Sequence, residues 1–307
     1  MKRSSSITQL YLSIAVLLLA SMLAPGSFAQ AQSGARAAAA PPPVLNIFRE
    51  EVKAGRSAAH ESLETGYVQA MAQAKWPAYW LGMTAASGTN EAWYITGYAS
   101  FAALEKDRQD VEKTPALQHQ LDQLDQRDAE FRTGQRAMIA AFRPNLSYHP
   151  ERLMPGLPKA RYFSVLTVRV RPGRDPEFVQ WVALYLAAME KANAETTSVA
   201  YQVISGAPGG TYLLFSPLKS LAEMDAGPAN QRAIFQALGA EDGQKVLKAL
   251  SETVLTMENT LFAFSPKMSY VSKEFASADP GFWTPKPKMV ARPAAAPKKQ
   301  APKVSGN

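Results

Sequence analysis

The chain contains no cysteine among its 307 residues. A protein without cysteine has no disulfide, no thiol nucleophile, no iron–sulfur cluster and no cysteine-bound zinc. Histidine is scarce, with three residues, and neither His-Glu-x-x-His nor Gly-x-Ser-x-Gly occurs. Acids are not clustered at the spacing of metal ligands, and Glu61 and Glu64 near His60 are weak evidence for a metal. We therefore predict no metal, no cofactor and no catalytic residue.

Acidic residues are absent from both ends of the chain. Residues 1–29 carry two basic residues and residues 281–307 carry six, so the net charge of +7 comes from the ends. The segment 30–280 between them is close to neutral. A nucleic-acid groove needs basic residues gathered on a folded face, with aromatic side chains to stack bases. We therefore predict no nucleic-acid partner.

The sequence has a single long apolar run, residues 10–24, which follows Lys2 and Arg3. Small residues around Ala29 then supply a cleavage site, so we predict a signal peptide over 1–29 and a soluble periplasmic or secreted protein. A retained membrane anchor is the alternative. It is disfavoured because 15 residues rise only about 22 Å, short of a hydrocarbon core of roughly 30 Å. No later run is long enough, so no transmembrane anchor is expected after cleavage.

Two segments differ in composition from the body of the chain. Residues 30–43, rich in Ala, Gln and Pro, predict a linker, and residues 284–307, rich in Lys, Pro and Ala, predict a disordered tail. The basic tail either contacts anionic polymers of the cell envelope or is a solubilising extension.

The body of the chain repeats itself, which is its most informative feature. Gly55-Arg56-Ser57 recurs as Gly173-Arg174-Asp175 and Tyr67 as Tyr185, both at an offset of 118. Phe142 to Tyr148 resembles Phe264 to Tyr270 at an offset of 122. Such order over a whole domain predicts two tandem repeats. We place them at 44–150 and 160–275.

Each repeat has the pattern β-α-β-β-α-(α)-β, which is the ferredoxin-like split βαβ unit. The first strand of the second repeat, within 161–171, is apolar on both faces, so both faces must be covered. The predicted fold class is α+β. Two antiparallel sheets pack together as an intramolecular α/β barrel, with helices outside.

A duplicated ferredoxin-like unit of this kind resembles the dimeric α/β-barrel superfamily. That group includes antibiotic-biosynthesis monooxygenases, chlorite-dismutase-like proteins and stress-responsive barrels. The resemblance implies a barrel made within one chain and a ligand cavity between each sheet and its own helices. The chlorite-dismutase-like members need a haem-binding histidine in the second repeat. This chain has none there, which argues against that activity.

Aromatic, histidine and arginine side chains are the candidates for a ligand site. His60 lies on a helix and offers a pocket base or haem ligand, Arg56 and Arg174 recur at a strand-to-helix turn, and tyrosines recur in pairs within helix one and strands two and three. The competing interpretations are a packed helix histidine, a solvated turn charge and recurrent core aromatics. The first-repeat candidates are His60, Tyr67, Tyr79, Trp80, Trp93, Tyr94 and Arg56; the second-repeat candidates are Arg174, Tyr185, Tyr201 and Tyr212.

Two functions are consistent with these features. The first is an exported, non-catalytic barrel that holds a small apolar or aromatic molecule, or binds a protein partner in the cell envelope. The second is a cofactor-independent enzyme that resembles the barrel monooxygenases, with an aromatic-lined pocket in the first repeat. The first is favoured because no acid–base constellation recurs in both repeats.

Overall fold

Each repeat contributes four strands to one sheet in the computed structural model, which describes residues 40–284. The predicted signal peptide, most of the linker and nearly all of the tail lie outside the described residues. The strands are β1 Val44–Val52, β2 Trp80–Ala85, β3 Glu91–Tyr98, β4 Arg132–Phe142, β5 Tyr162–Val170, β6 Val199–Ser205, β7 Thr211–Leu218 and β8 Val254–Phe264. The helices are α1 Ser57–Gln73, α2 Phe101–Glu112, α3 Pro115–Asp128, α4 Leu153–Gly156, α5 Asp175–Lys191, α6 Gly227–Thr253, α7 Lys273–Ser277 and α8 Pro280–Trp283.

The eight strands close into an antiparallel barrel in the order β1-β3-β2-β8-β5-β7-β6-β4. The first repeat supplies β4-β1-β3-β2 and the second supplies β8-β5-β7-β6. The two sheets join edge to edge at two seams, β2 with β8 and β4 with β6. The prediction of two ferredoxin-like repeats that form a barrel within one chain is therefore confirmed.

Strand register defines which residues of the two repeats are equivalent. Glu50 pairs with Ala92 in the first repeat, and Val168 pairs with Tyr212 in the second. Tyr212 is therefore the counterpart of Ala92 and not of Tyr94, so the tyrosines of strand three do not form a repeated pair. Helices α1 and α5 keep the offset of 118, so Tyr67 and Tyr185 do correspond.

Alternate residues of each strand face the barrel lumen or the outer helices. Ile47, Val165, Tyr201 and Phe262 belong to the buried lumen core. On the outer face of the second repeat, a second buried cluster packs strands β5 and β7 against α5. This arrangement explains why β5 is apolar on both of its faces.

The two ends of the lumen differ in polarity. At one end the Arg49 guanidinium donates hydrogen bonds of 2.8 and 2.7 Å to the Glu91 carboxylate and lies 4.4 Å above the Trp93 ring. The opposite end is capped by α4 with the turn that follows it, and by the C-terminal helices α7 and α8. The Trp283 indole donates a hydrogen bond of 2.7 Å to the Pro158 carbonyl and so joins these two caps.

No helix within residues 40–284 has the length and apolar character needed to cross a membrane.

Helix α2 provides a matched test of capping between the repeats. The Ser100 hydroxyl accepts a hydrogen bond from the Ala103 amide at 3.1 Å, whereas Ser220, at the equivalent turn, makes no side-chain cap. We expect Ser100→Ala to lower the free energy of unfolding by about 0.5–2 kcal/mol and Ser220→Ala to change it less. Urea denaturation of both variants measures this, and equal losses would contradict it.

Candidate functional site

An apolar cavity of about 330 Å³ occupies the capped end of the lumen. Strands of both repeats form its floor, and α4, the turn that follows it and α7 cover it. Tyr79 and Trp80 are among its lining residues, and the Trp80 side chain also packs in the cluster of Tyr94 and Met268 on the outer face of the sheet. Its lining residues are Pro42, Leu45, Pro77, Ala78, Tyr79, Trp80, Leu81, Ile95, Gly97, Leu153, Met154, Leu157, Phe163, Tyr201, Phe215, Val271, Ser272 and Phe275.

Two polar groups of the lining residues already have partners. The Tyr201 hydroxyl donates to the Pro42 carbonyl at 2.9 Å, and the Trp80 indole donates to the Met268 carbonyl at 2.8 Å. Burial raises the pKa of Tyr201, so its phenol stays protonated. Among the described residues, no Asp, Glu, Lys, Arg or His lines the cavity. The cavity can therefore hold an apolar molecule but offers it no acid or base of ordinary strength.

A buried polar cluster lies on the other side of the first-repeat sheet, between β1, α1 and the end of α3. We call Glu50, His60, Glu64 and Asp128 the acid–histidine cluster. Around His60 Nε2, the nearest oxygens are Glu50 Oε2 at 2.8 Å, Asp128 Oδ1 at 3.5 Å and Glu64 Oε1 at 4.0 Å. All four side chains are buried, with Asp128 0% and His60 1% exposed.

Arg132, the first residue of β4, holds the outer oxygens of this cluster. Its guanidinium donates to Glu50 Oε1 at 2.8 Å, and its Nε lies 3.4 Å from Asp128 Oδ2. It also pairs with Asp125 at 2.5 Å, on the exposed side of α3. The inner oxygens of Glu50 and Asp128 are thereby left to face His60.

Burial and mutual repulsion shift the pKa values of the cluster in different directions. Burial, together with the charge of Glu50, raises the pKa of Glu64 well above its usual range. The same two causes raise the pKa of Asp128 to about 6. Burial opposes ionisation of Glu50 too, but the hydrogen bond and charge of His60 and the charge of Arg132 outweigh it and lower the pKa of Glu50. Glu50 is therefore the carboxylate that stays ionised most readily.

The predicted site residues divide among these places. Tyr79, Trp80 and Tyr201 line the cavity, although Tyr79 is 45% exposed and packs against Tyr270 at 5.0 Å between ring centroids. His60 belongs to the acid–histidine cluster, and Tyr94 faces Glu64 there.

The remaining candidates are neither lining residues of the cavity nor members of the acid–histidine cluster. The Trp93 ring packs at a tilt against Phe262 in the lumen, with ring centroids 4.7 Å apart; half-buried Tyr67 packs beside α3, and Tyr185 packs against the second-repeat helices. The Tyr212 hydroxyl donates to Asp175 at 2.7 Å. The two arginines are exposed at helix starts: Arg56 precedes α1, and Arg174 pairs with Glu177.

The location of the apolar cavity differs from the one implied by the resemblance. That resemblance places a cavity between each sheet and its helices, whereas this cavity lies inside the barrel mouth. The space between the second sheet and α5 is largely filled, because Phe178, Val182 and Tyr212 pack there. A more polar groove remains at its edge, beside Asp175 and Arg143.

Sequence reasoning missed Glu50, Asp128 and Arg132. The available signal was Glu50, a charged residue between Phe48 and Val52 on the helix-facing side of β1, where the second repeat has Val168. Asp128 and Arg132 give no such signal, because both lie at a helix-to-strand junction whose direction depends on the fold.

No family model matches the chain, and no curated protein matches it. Similar solved structures include an anthrone oxidase-like protein, at 12% identity and a TM-score of 0.46, covering 76% of this chain and 96% of that chain. A mutant chlorite dismutase from Candidatus Nitrospira defluvii in complex with cyanide shares 11% identity at a TM-score of 0.46, covering 76% and 95%. A monooxygenase-like protein from Fusobacterium nucleatum shares 13% sequence identity at a TM-score of 0.45, and the match covers 73% of this chain and 93% of that chain. At this level of similarity, no function is transferred.

Proposed function

We propose that this protein binds a small, neutral, apolar or aromatic molecule in the lumen cavity. The observation that carries the proposal is the cavity itself, about 330 Å³ lined by apolar and aromatic residues from both repeats and partly open to solvent. Protein interiors are otherwise close-packed, and small-molecule sites begin at about 300 Å³. A cavity of this size therefore favours a ligand over a packing defect.

The chemistry of the wall restricts the class of ligand. A charged or strongly polar molecule would lose its hydration and gain no charged partner from the described residues, which is costly. A flat apolar molecule would pack against Tyr79, Phe163 and Phe275. The same lack of an acid or base of ordinary strength at the wall favours binding over the alternative, a cofactor-independent monooxygenase-like enzyme, because general acid–base catalysis needs such a group within reach of the substrate.

Export completes the proposal. The proposed signal peptide directs the barrel to the periplasm or outside the cell, and the basic tail holds it near anionic envelope polymers. A mature protein that begins after Ala29 in the periplasmic or secreted fraction would support this part. The same protein retained in the cytoplasm at full length would overturn it.

Blocking the cavity tests the binding proposal. We expect Ile95→Trp to weaken binding of the neutral probe N-phenyl-1-naphthylamine at least tenfold, because the indole occupies the cavity. The matched control is Ile204→Trp, at a residue that is 56% exposed on β6 and outside the cavity. Probe fluorescence measures binding, and circular dichroism checks folding.

A second blocking variant is needed because overpacking typically costs about 1–3 kcal/mol of stability and could unfold the Ile95→Trp protein. Met154→Trp fills the cavity from the half-buried cap. Weaker binding by both blocked variants with unchanged binding by Ile204→Trp supports the proposal. Absence of saturable binding to the unaltered protein, or equal binding by all variants, would overturn it.

A further inference from the structure

We propose that the acid–histidine cluster is a binding site for one divalent transition-metal ion of the Zn²⁺ or Mn²⁺ class. This site lies on the outer face of the first-repeat sheet and is separate from the lumen cavity. It joins three elements, because Glu50 comes from β1, His60 and Glu64 from α1, and Asp128 from the end of α3.

The four candidate ligand atoms already converge. One atom from each side chain lies within 4.8 Å of all the others, and His60 Nε2 lies 2.8 to 4.0 Å from an oxygen of each of the three acids. Metal–ligand distances of about 2.0–2.2 Å place ligand atoms roughly 3 to 4.4 Å apart. Binding therefore needs side-chain shifts of less than about 1 Å, with no rearrangement of the backbone.

Arg132 leaves the correct oxygens free. It contacts the outer oxygens, Glu50 Oε1 and Asp128 Oδ2, while Glu50 Oε2 and Asp128 Oδ1 face the histidine. Charged groups that hydrogen-bond the ligands from outside orient them in many metal sites. Arg132 is thus a positioning residue and does not occupy the place of the ion.

Oxygens without a hydrogen bond and an excess of buried carboxylates both favour a bound cation. Both Asp128 oxygens are buried and make no hydrogen bond within residues 40–284; their nearest cationic groups lie at ion-pair distance, His60 Nε2 at 3.5 Å and Arg132 Nε at 3.4 Å. Three buried carboxylates face one guanidinium and one imidazole. Buried charge of one sign must be neutralised by protons or by a cation. A divalent ion would neutralise it and give Asp128 Oδ1 its partner.

The second repeat shows that the fold does not require these polar groups. At the positions of Glu50, His60, Glu64 and Arg132 the second repeat has Val168, Phe178, Val182 and Val254, all within one hydrophobic cluster. An apolar core thus fills the same space between sheet and helices. The polar residues of the first repeat are therefore an addition that calls for a ligand.

The ligand set selects among ions. One imidazole with three carboxylates suits Zn²⁺ and Mn²⁺, whereas Ca²⁺ prefers oxygen ligands alone. The closing experiment equilibrates chelator-treated mature protein overnight with Zn²⁺, Mn²⁺ or Ca²⁺, since the buried ligands exchange slowly. Mass spectrometry of the bound metal gives the stoichiometry, and competition with a chromophoric chelator gives Kd.

The variants His60→Ala and Glu64→Gln remove one ligand each, and the second keeps the side-chain shape in case the first does not fold. His119→Ala, at an exposed residue, and His149→Ala, beside Glu151 and Glu190, are the controls. We expect one Zn²⁺ or Mn²⁺ per chain, at least tenfold weaker binding in both cluster variants, and no change in the controls.

Two results would overturn the proposal. One is the absence of stoichiometric Zn²⁺ or Mn²⁺ binding by the unaltered protein. The other is binding that survives Glu64→Gln but is lost in His149→Ala, which would place the ion at the surface histidine. Because the probe for the lumen cavity is measured separately, failure of one proposal leaves the other intact.

Discussion

Replacing Arg132 with methionine is expected to lower the free energy of unfolding of the metal-free protein by about 3–5 kcal/mol. The substitution keeps much of the side-chain volume but removes the guanidinium that pairs with Glu50 at 2.8 Å. The Arg132 side chain is 8% and the Glu50 side chain 3% exposed, so water cannot replace the lost partner. Glu50 and Asp128 would then face each other with only His60 between them. Urea denaturation in the presence of a chelator measures the loss.

Arg136→Met is the matched control, on the same strand. Arg136 pairs with Glu51 at 2.9 Å, but these side chains are 52% and 41% exposed. Exposed ion pairs contribute about 0–1 kcal/mol, so this variant should be almost as stable as the unaltered protein. Similar losses in the two variants would show that the acid–histidine cluster is not held by Arg132.

The Gly206→Ala variant is expected to lose about 2–6 kcal/mol of stability, since left-handed strain and overpacking each cost about 1–3 kcal/mol. Gly206 has φ of +90° and follows β6, at the seam where β6 pairs with β4. A Cβ atom there would lie 2.0 Å from the Ala137 carbonyl oxygen and 2.9 Å from the Met138 Cα. Both neighbours belong to the backbone and cannot rotate away, so the seam must shift.

Gly209, in the same turn, supplies the control, because a Cβ atom there has no neighbour within 4 Å. We expect Gly209→Ala to unfold at nearly the same temperature as the unaltered protein. Thermal denaturation of the two variants compares them directly. A Gly206→Ala protein as stable as the Gly209→Ala protein would mean that the β4–β6 seam is loose enough to admit a side chain.

The fold could be predicted because its evidence is spread along the chain. Two copies of one element order, with β5 apolar on both faces, require two covered sheets, and a barrel satisfies that requirement. The register of the strands was harder to predict, because a loop that is longer or shorter by one or two residues changes which residues pair. The tyrosines of strand three illustrate this, since Tyr94 and Tyr212 look equivalent at an offset of 118 but pair with different positions of the first strand.

The cluster and the cavity depend on contacts between distant segments. His60 was a candidate from its sequence, but its partners Glu50 and Asp128 lie 10 and 68 positions away and come from a strand and a helix end. The cavity could be anticipated through Tyr79 and Trp80. Its position could not, because the caps that cover it come from segments between and after the repeats.

The two seams that join the repeats have a consequence for symmetry. A barrel made from two identical chains presents every side chain twice, so a charged group in one half is accompanied by the same group in the other. Here one polypeptide supplies both halves, and each half can diverge alone. The counterpart of Glu50 in the second repeat is therefore Val168 and not a second glutamate. The layer between sheet and helices is apolar at this position in the second repeat and carries buried charge in the first.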